Sequence, residues 1–127
     1  MMSKTQAAFT CTVERLEEQF RRLYFWTFTF VEVPLNDEWA MKHYAKFMRA
    51  VTKRWPTMRG VRVCELHKSH GIHFHALLSE RLPIREILEL GERYGFGRIS
   101  VRKAIKGDGG YLAKYLSKQY RAENLFG

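Results

Sequence analysis

Gly60-Val61-Arg62-Val63-Cys64-Glu65-Leu66-His67-Lys68-Ser69-His70-Gly71-Ile72-His73-Phe74-His75-Ala76-Leu77-Leu78-Ser79 is the stretch around which the rest of the chain arranges itself. Val61, Val63 and Leu66 give its first part strand character. His67 to Gly71 has the composition of a hairpin connection, and Ile72 to Ser79 is the returning strand. Downstream, Pro83 stands where a first-turn proline starts a helix through Ile87, Leu88 and Leu90; Gly95 and Gly97 end it, and Ile99 to Arg102 resumes strand character. Upstream, Tyr24 to Val33 is a strand of aromatic and β-branched residues stopped by Pro34. Asn36 and Asp37 offer caps to an amphipathic helix through Trp39, Tyr44, Phe47, Met48 and Val51, closed by Trp55-Pro56. Val13, Leu16, Phe20 and Leu23 recur at helical spacing, which predicts a first helix over Thr12 to Arg22. Gly107-Asp108-Gly109-Gly110 breaks the chain before a last helix from Tyr111 to about Arg121.

Between the first and last helices the order is strand, helix, strand, strand, helix, strand. That is the ferredoxin-like or RRM-like split arrangement, an α+β fold with a central antiparallel sheet and flanking helices. Its first and third strands lie at the centre, so the aromatic strand and the Ile72 to Ser79 strand should be neighbours. Helices are expected on one face, with the other open for a ligand or for the last helix. The 127 residues suit one domain, 1–127, with 46% apolar residues to fill its core. Linkers, internal repeats and low-complexity segments are absent from the sequence.

Lys and Arg number 22 against 13 Asp and Glu, a net charge of +9. So large an excess in a small domain sets up a field suited to a polyanion, and makes nucleic acid the leading partner. The cations are spread over several elements and do not line one helix face, which argues against amphipathic membrane binding. The sequence has no apolar run long enough for a membrane span and no signal-peptide stretch, so no membrane partner and a cytoplasmic location are expected. Cys11 and Cys64 make no metal-binding spacing; both are read as reduced thiols, Cys64 as a small buried hydrophobe.

Two motifs carry chemistry. In His73-Phe74-His75 the residues two apart share a strand face, so both imidazoles project from one side while Ile72, Phe74 and Ala76 enter the core. Glu65, on the preceding strand of the hairpin, can bring a carboxylate opposite them. Two imidazoles and one carboxylate suit Mg²⁺ or Mn²⁺ and would also accept Zn²⁺. Alone, His-x-His equally describes two surface histidines on a strand; His67 and His70 are read as solvated turn residues. The second motif is Gly109-Gly110-Tyr111-Leu112-Ala113-Lys114-Tyr115-Leu116-Ser117-Lys118. Tyr111 and Tyr115 are one helical turn apart on one face, with Lys114 and Lys118 repeating the spacing beside them. A phenol, with an ordinary pKa near 10, attacks phosphate only with help from a metal and nearby cations. By itself the segment also reads as an amphipathic helix with tyrosines at its edge.

Read together, a carboxylate, His-hydrophobic-His and a later Tyr-x-x-Lys resemble the HUH endonucleases, specifically rolling-circle replication initiators. Trp26-Thr27-Phe28-Thr29-Phe30 looks like the family's first motif, Glu65 with His73 and His75 like its metal motif, and Tyr111 to Lys118 like its nucleophile motif. The doubled Tyr-x-x-Lys is similar to the two-tyrosine initiators of small single-stranded DNA phages. The resemblance implies catalytic tyrosines on the C-terminal helix, a Mg²⁺ or Mn²⁺ ion, cleavage of single-stranded DNA at a replication origin, with or without a hairpin, and a 5′-phosphotyrosine link. It also implies a free 3′-hydroxyl for priming and, where a phage or plasmid encodes the chain, a bacterial cytoplasm. Many such initiators carry a helicase; no P-loop is present here, so a host or phage helicase and polymerase are implied partners. Arg98, Arg102, Lys103 and Lys106, around the fourth strand, are candidate DNA-binding residues. The rivals are a transposase or plasmid relaxase sharing the metal pair and tyrosine, and a non-catalytic RRM-like RNA-binding module with the aromatic strand as its stacking platform.

Overall fold

Ser3 starts the first helix. Its hydroxyl accepts from the Gln6 amide, and the Gln6 side chain accepts from the Ser3 amide, a reciprocal capping box. In the computed structural model, which describes residues 3–34, 36–67, 71–114 and 123–124, α1 therefore spans Lys4–Gln19. The start expected at Thr12 lies well inside it, because the capping box and the turn carrying Phe9 precede the apolar period. Phe20 and Leu23 fall beyond its end. The other elements are β1 (Tyr24–Phe30), α2 (Asp37–Arg54), β2 (Gly60–His67), β3 (Gly71–Leu78), α3 (Ile84–Glu92), β4 (Phe96–Lys103), α4 (Asp108–Ala113) and β5 (Glu123–Asn124). Asn36 caps α2 by accepting from the Trp39 amide at 2.8 Å, as its position suggests. Pro83 is the N-cap residue of α3.

The strands pair antiparallel in the order β4-β1-β3-β2-β5. The expected ferredoxin-like sheet is present, with β1 and β3 at its centre. Register sets Thr27 opposite His75, Thr29 opposite His73, and Glu65 opposite His73. β5 adds a short edge beside β2, Val61 opposite Asn124; no periodic signal in so short a segment announces it.

Alternation along the strands makes two faces, and both are covered. Trp26, Phe28, Phe30, Phe74, Ala76 and Phe96 pack with α2 and α3 through Tyr44, Phe47, Met48 and Ile87. On the opposite face Phe25, Val61, Val63 and Leu77 pack beneath Phe9, Val13 and Leu16 of α1 and Leu112 and Ala113 of α4. The last helix, α4, lies on this second face as expected; the correction is α1, which packs there beside it. The second face carries too many apolar side chains to stay wet, each worth about 1.5–3 kcal/mol on burial.

The last helix begins earlier than expected. Gly107, at φ 99°, is the N-cap residue, and Asp108, Gly109 and Gly110 are already helical. The remainder of the helix expected to reach Arg121 lies outside the described residues. No described helix is long and apolar enough to cross a membrane. Cys11 and Cys64 are free thiols. Burial first, then the charges of Asp37 and Glu65, push the Cys64 thiol up to about 12, which leaves it an inert core residue.

Candidate active site

The covering of the second face is incomplete where β1, β2 and β3 carry polar side chains. Thr27 and Thr29 alternate with the core aromatics of β1, and His73 and His75 do the same on β3, so all four share one face. Each threonine hydroxyl meets the histidine across from it. Thr27 Oγ1 lies 3.1 Å from His75 Nδ1, and Thr29 Oγ1 lies 3.1 Å from His73 Nδ1. On the other side, Glu65 Oε2 lies 2.6 Å from His75 Nε2.

These groups are not on an outer surface. Glu65 is 4% exposed and His75 7%, which excludes the reading of two surface histidines on a strand, and Thr27, Thr29 and His73 are half-buried. Burial pushes the His75 imidazole below its ordinary value, ahead of the Glu65 hydrogen bond and charge, which raise it; His73 and Arg102 lower it further. A neutral imidazole satisfies all three groups if Nε2–H donates to Glu65 and Nδ1 accepts from Thr27.

α4 brings a phenol to this cluster. The Tyr111 ring lies 6.3 Å from the His75 ring and 6.5 Å from Phe25, which itself lies 5.3 Å from His75. Tyr111 is 39% exposed, so its ring is packed on one side and open on the other. The Lys114 ammonium lies 5.4 Å from the Tyr111 ring centre. Tyr115 and Lys118, the second half of the repeated motif, lie outside the described residues, as does His70.

What holds α4 there is Asp108 in its first turn. The carboxylate accepts from Arg102 Nη1 at 2.9 Å and Nη2 at 2.8 Å, and from the Ile105 amide at 2.6 Å. Burial works against the Asp108 charge, but the Arg102 and Ile105 hydrogen bonds and the Arg102 charge outweigh it and hold the carboxyl below its ordinary value. The same guanidinium lies 4.4 Å from the Phe25 ring centre. Arg102, expected as a DNA contact, thus ties β4 to α4 over Phe25. Arg98 is exposed and stands opposite Thr29 on the site face of β4; Lys103 and Lys106 are exposed where β4 leads into α4.

A carboxylate, two strand histidines and a helix tyrosine are thus gathered on one face of a ferredoxin-like sheet. Comparison with protein families matched residues 23–120 to the replication-associated protein (ORF2) family. The chain belongs to this replication-associated protein family. No curated protein and no solved structure matched the chain. Membership supports a replication-initiator role and DNA as the partner, and the matched span contains every site residue named so far.

The donors of this replication-associated protein suit a divalent cation in kind: a carboxylate and two imidazoles, each imidazole oriented through Nδ1 by a threonine in the manner of ligand histidines held by a second partner. Among the described residues, however, no three His, Cys, Asp or Glu side chains converge as a formed cage. Glu65 and His75 are instead closed directly on each other, so a cation using both must part them. Sequence reasoning quoted Thr27 and Thr29 within the first motif but gave them no partner, and it missed Phe25 and Asp108. Thr-x-Thr in phase with His-x-His on a neighbouring strand was the available signal for the first two; Asp108 was hidden in a run of glycines read only as a break.

Proposed function

We propose that this replication-associated protein is an initiator of the HUH type that nicks and rejoins single-stranded DNA at a replication origin through a covalent 5′-phosphotyrosine intermediate, with Mg²⁺ or Mn²⁺ as cofactor. The observation that carries the proposal is the approach of the Tyr111 ring to the His75–Glu65 pair. Glu65, His73 and His75 would hold the cation. When bound, it supplies polarisation of the scissile phosphate and neutralisation of its oxygens.

The chain's own groups do the rest. The Tyr111 oxygen forms a bond to phosphorus as its proton leaves to solvent; the bond from phosphorus to the 3′-oxygen breaks, and that oxygen takes up a proton. Lys114, beside the Tyr111 ring, offsets negative charge as the phenol attacks. Phe25, itself covered by the Arg102 guanidinium, packs against one side of the Tyr111 ring, while the Asp108 contacts hold the helix. The phosphotyrosine conserves the energy of the broken bond, so a 3′-hydroxyl reverses the step without ATP. Tyr115, as a second nucleophile, would let cutting and rejoining alternate. A host or phage helicase and polymerase would open the duplex and extend the 3′-end. The RNA-binding alternative loses its main support here: Trp26, Phe28 and Phe30 are buried against α2 and α3, and Phe25 beneath α4, leaving β1 without an exposed stacking platform.

Incubation with single-stranded oligonucleotides and Mn²⁺ should give protein carrying covalent DNA, mapped by peptide analysis to Tyr111 or Tyr115. Tyr111→Phe removes the attacking oxygen while keeping the ring, so it should alter the yield or shift the adduct to Tyr115, and the double Phe variant should form none. Wild-type yield from the double variant would move the nucleophile elsewhere, Tyr94 and Tyr120 being the next to examine. No adduct on any origin-containing strand with either cation would sink the nicking chemistry.

A further inference from the structure

Beyond the catalytic face, the end of the sheet where β1 begins and β4 ends holds a cleft of about 400 Å³. Arg21 and Arg22, from the turn between α1 and β1, line it together with Lys103, at the end of β4, and Lys106, from the segment that follows. Two pairs of cations, from segments far apart in sequence, thus meet at one concavity. The one carboxylate lining it is Glu17, and among the described residues none of the four cations is in a salt bridge. Gathering like charges this way costs free energy in the unliganded protein, a cost an anion would reverse.

The segments that line the cleft are also tied together. The Ala104 amide donates to the Leu23 carbonyl at 2.9 Å, and Asp108 pins the Ile105 amide and Arg102. Leu23 is buried, while Phe20 and the 65% exposed Ile105 offer apolar surface beside the cations. Cationic walls with apolar contacts match the sugar-phosphate backbone of a single strand. Leu23 is four residues before Thr27, roughly 14 Å along β1 at about 3.4 Å per residue, close enough for one strand to touch both cleft and Tyr111.

We propose that this cleft is a second nucleic-acid site, binding backbone phosphates of the single strand next to the segment engaged at Tyr111. It rests on the reading of single-stranded DNA as the substrate and names Arg21, Arg22, Lys103 and Lys106 as the phosphate contacts. The test uses the full chain, EDTA to prevent cleavage, and a fluorescent mixed-sequence single-stranded oligonucleotide titrated at roughly 50 to 200 mM salt. The variant R21Q/R22Q/K106Q is compared with K46Q/R49Q/K53Q, which removes equal charge from the exposed side of α2. All six positions are exposed, so both variants should fold, as thermal melting can check. The cleft variant should bind more weakly, with the slope of log K against log salt shallower by about 2, at about 0.7 per lost contact; the α2 variant should stay near wild type. An unchanged slope, equal losses in the two variants, or no binding by wild type would overturn the site. Binding with the expected slopes but no covalent adduct sinks the nicking reading alone, whereas adduct formation with unaltered slopes sinks the cleft alone.

Discussion

Asp108 shows how much a single side chain decides. It satisfies two guanidinium donors and one backbone amide while sitting 6% exposed in the first turn of α4. Asp108→Asn leaves Arg102 with a neutral partner and should cost about 1–3 kcal/mol near neutral pH, since charge-assisted bonds to a buried group are lost. The pH dependence follows from the direction of the shift. The folded carboxyl lies below its ordinary 3.8, so its contribution is complete above that value and disappears as pH falls through the lower folded pKa. Urea unfolding of wild type and variant should show a gap that is constant above about pH 5 and narrows below 3.8; a gap independent of pH would mean that the Asp108 charge is not what stabilises.

At the scale of the element, α4 is a helix started by a special backbone. Gly107 at φ 99° turns the chain into it, with open space where a Cβ would stand, so only the backbone conformation resists substitution. Gly110 is inside the helix and equally open. The two glycines should therefore answer oppositely. Gly107→Ala should destabilise by about 1–2 kcal/mol through the left-handed conformation, and Gly110→Ala should stabilise by up to about 1 kcal/mol through helix propensity and the unfolded state. Denaturation midpoints measure both, and a stabilising Gly107→Ala would contradict the cap geometry. Caps of this kind also set how well each helix was legible. Asn36 and Pro83 stood next to clear apolar periods, whereas the Ser3 and Gly107 starts precede the residues that carry the period.

For the whole molecule, the sheet separates two cores with different reporters. Trp26, Trp39 and Trp55 all belong to the α2 and α3 side, so intrinsic tryptophan fluorescence reads that core, while the face carrying the candidate site depends on α1 and α4. Phe9, 2% exposed in the second core, supports α1 beneath which the sheet carries Phe25. Phe9→Ala should cost about 3–5 kcal/mol locally. In a urea series, formation of the proposed DNA adduct by this variant should fail before tryptophan fluorescence changes, because the damaged core is the one that positions Tyr111. Coincident loss of both signals would show that the two faces unfold as one cooperative unit.

The alternation of Phe28-Thr29-Phe30 and His73-Phe74-His75 determined, without any structure, that these are strands and which residues share a face; the order of elements then limited the sheet to the ferredoxin-like arrangement. Periodicity reports the side of its own element on which a residue lies and says nothing of what lies across from it. What lies across depends on register and helix docking, which are fixed by contacts between distant segments. Tertiary structure alone therefore decided that α1 joins α4 over the second face and that Glu65 closes on His75. It also decided that Arg102 is bound to Asp108, and that Arg21 and Arg22 meet Lys103 and Lys106 at one cleft.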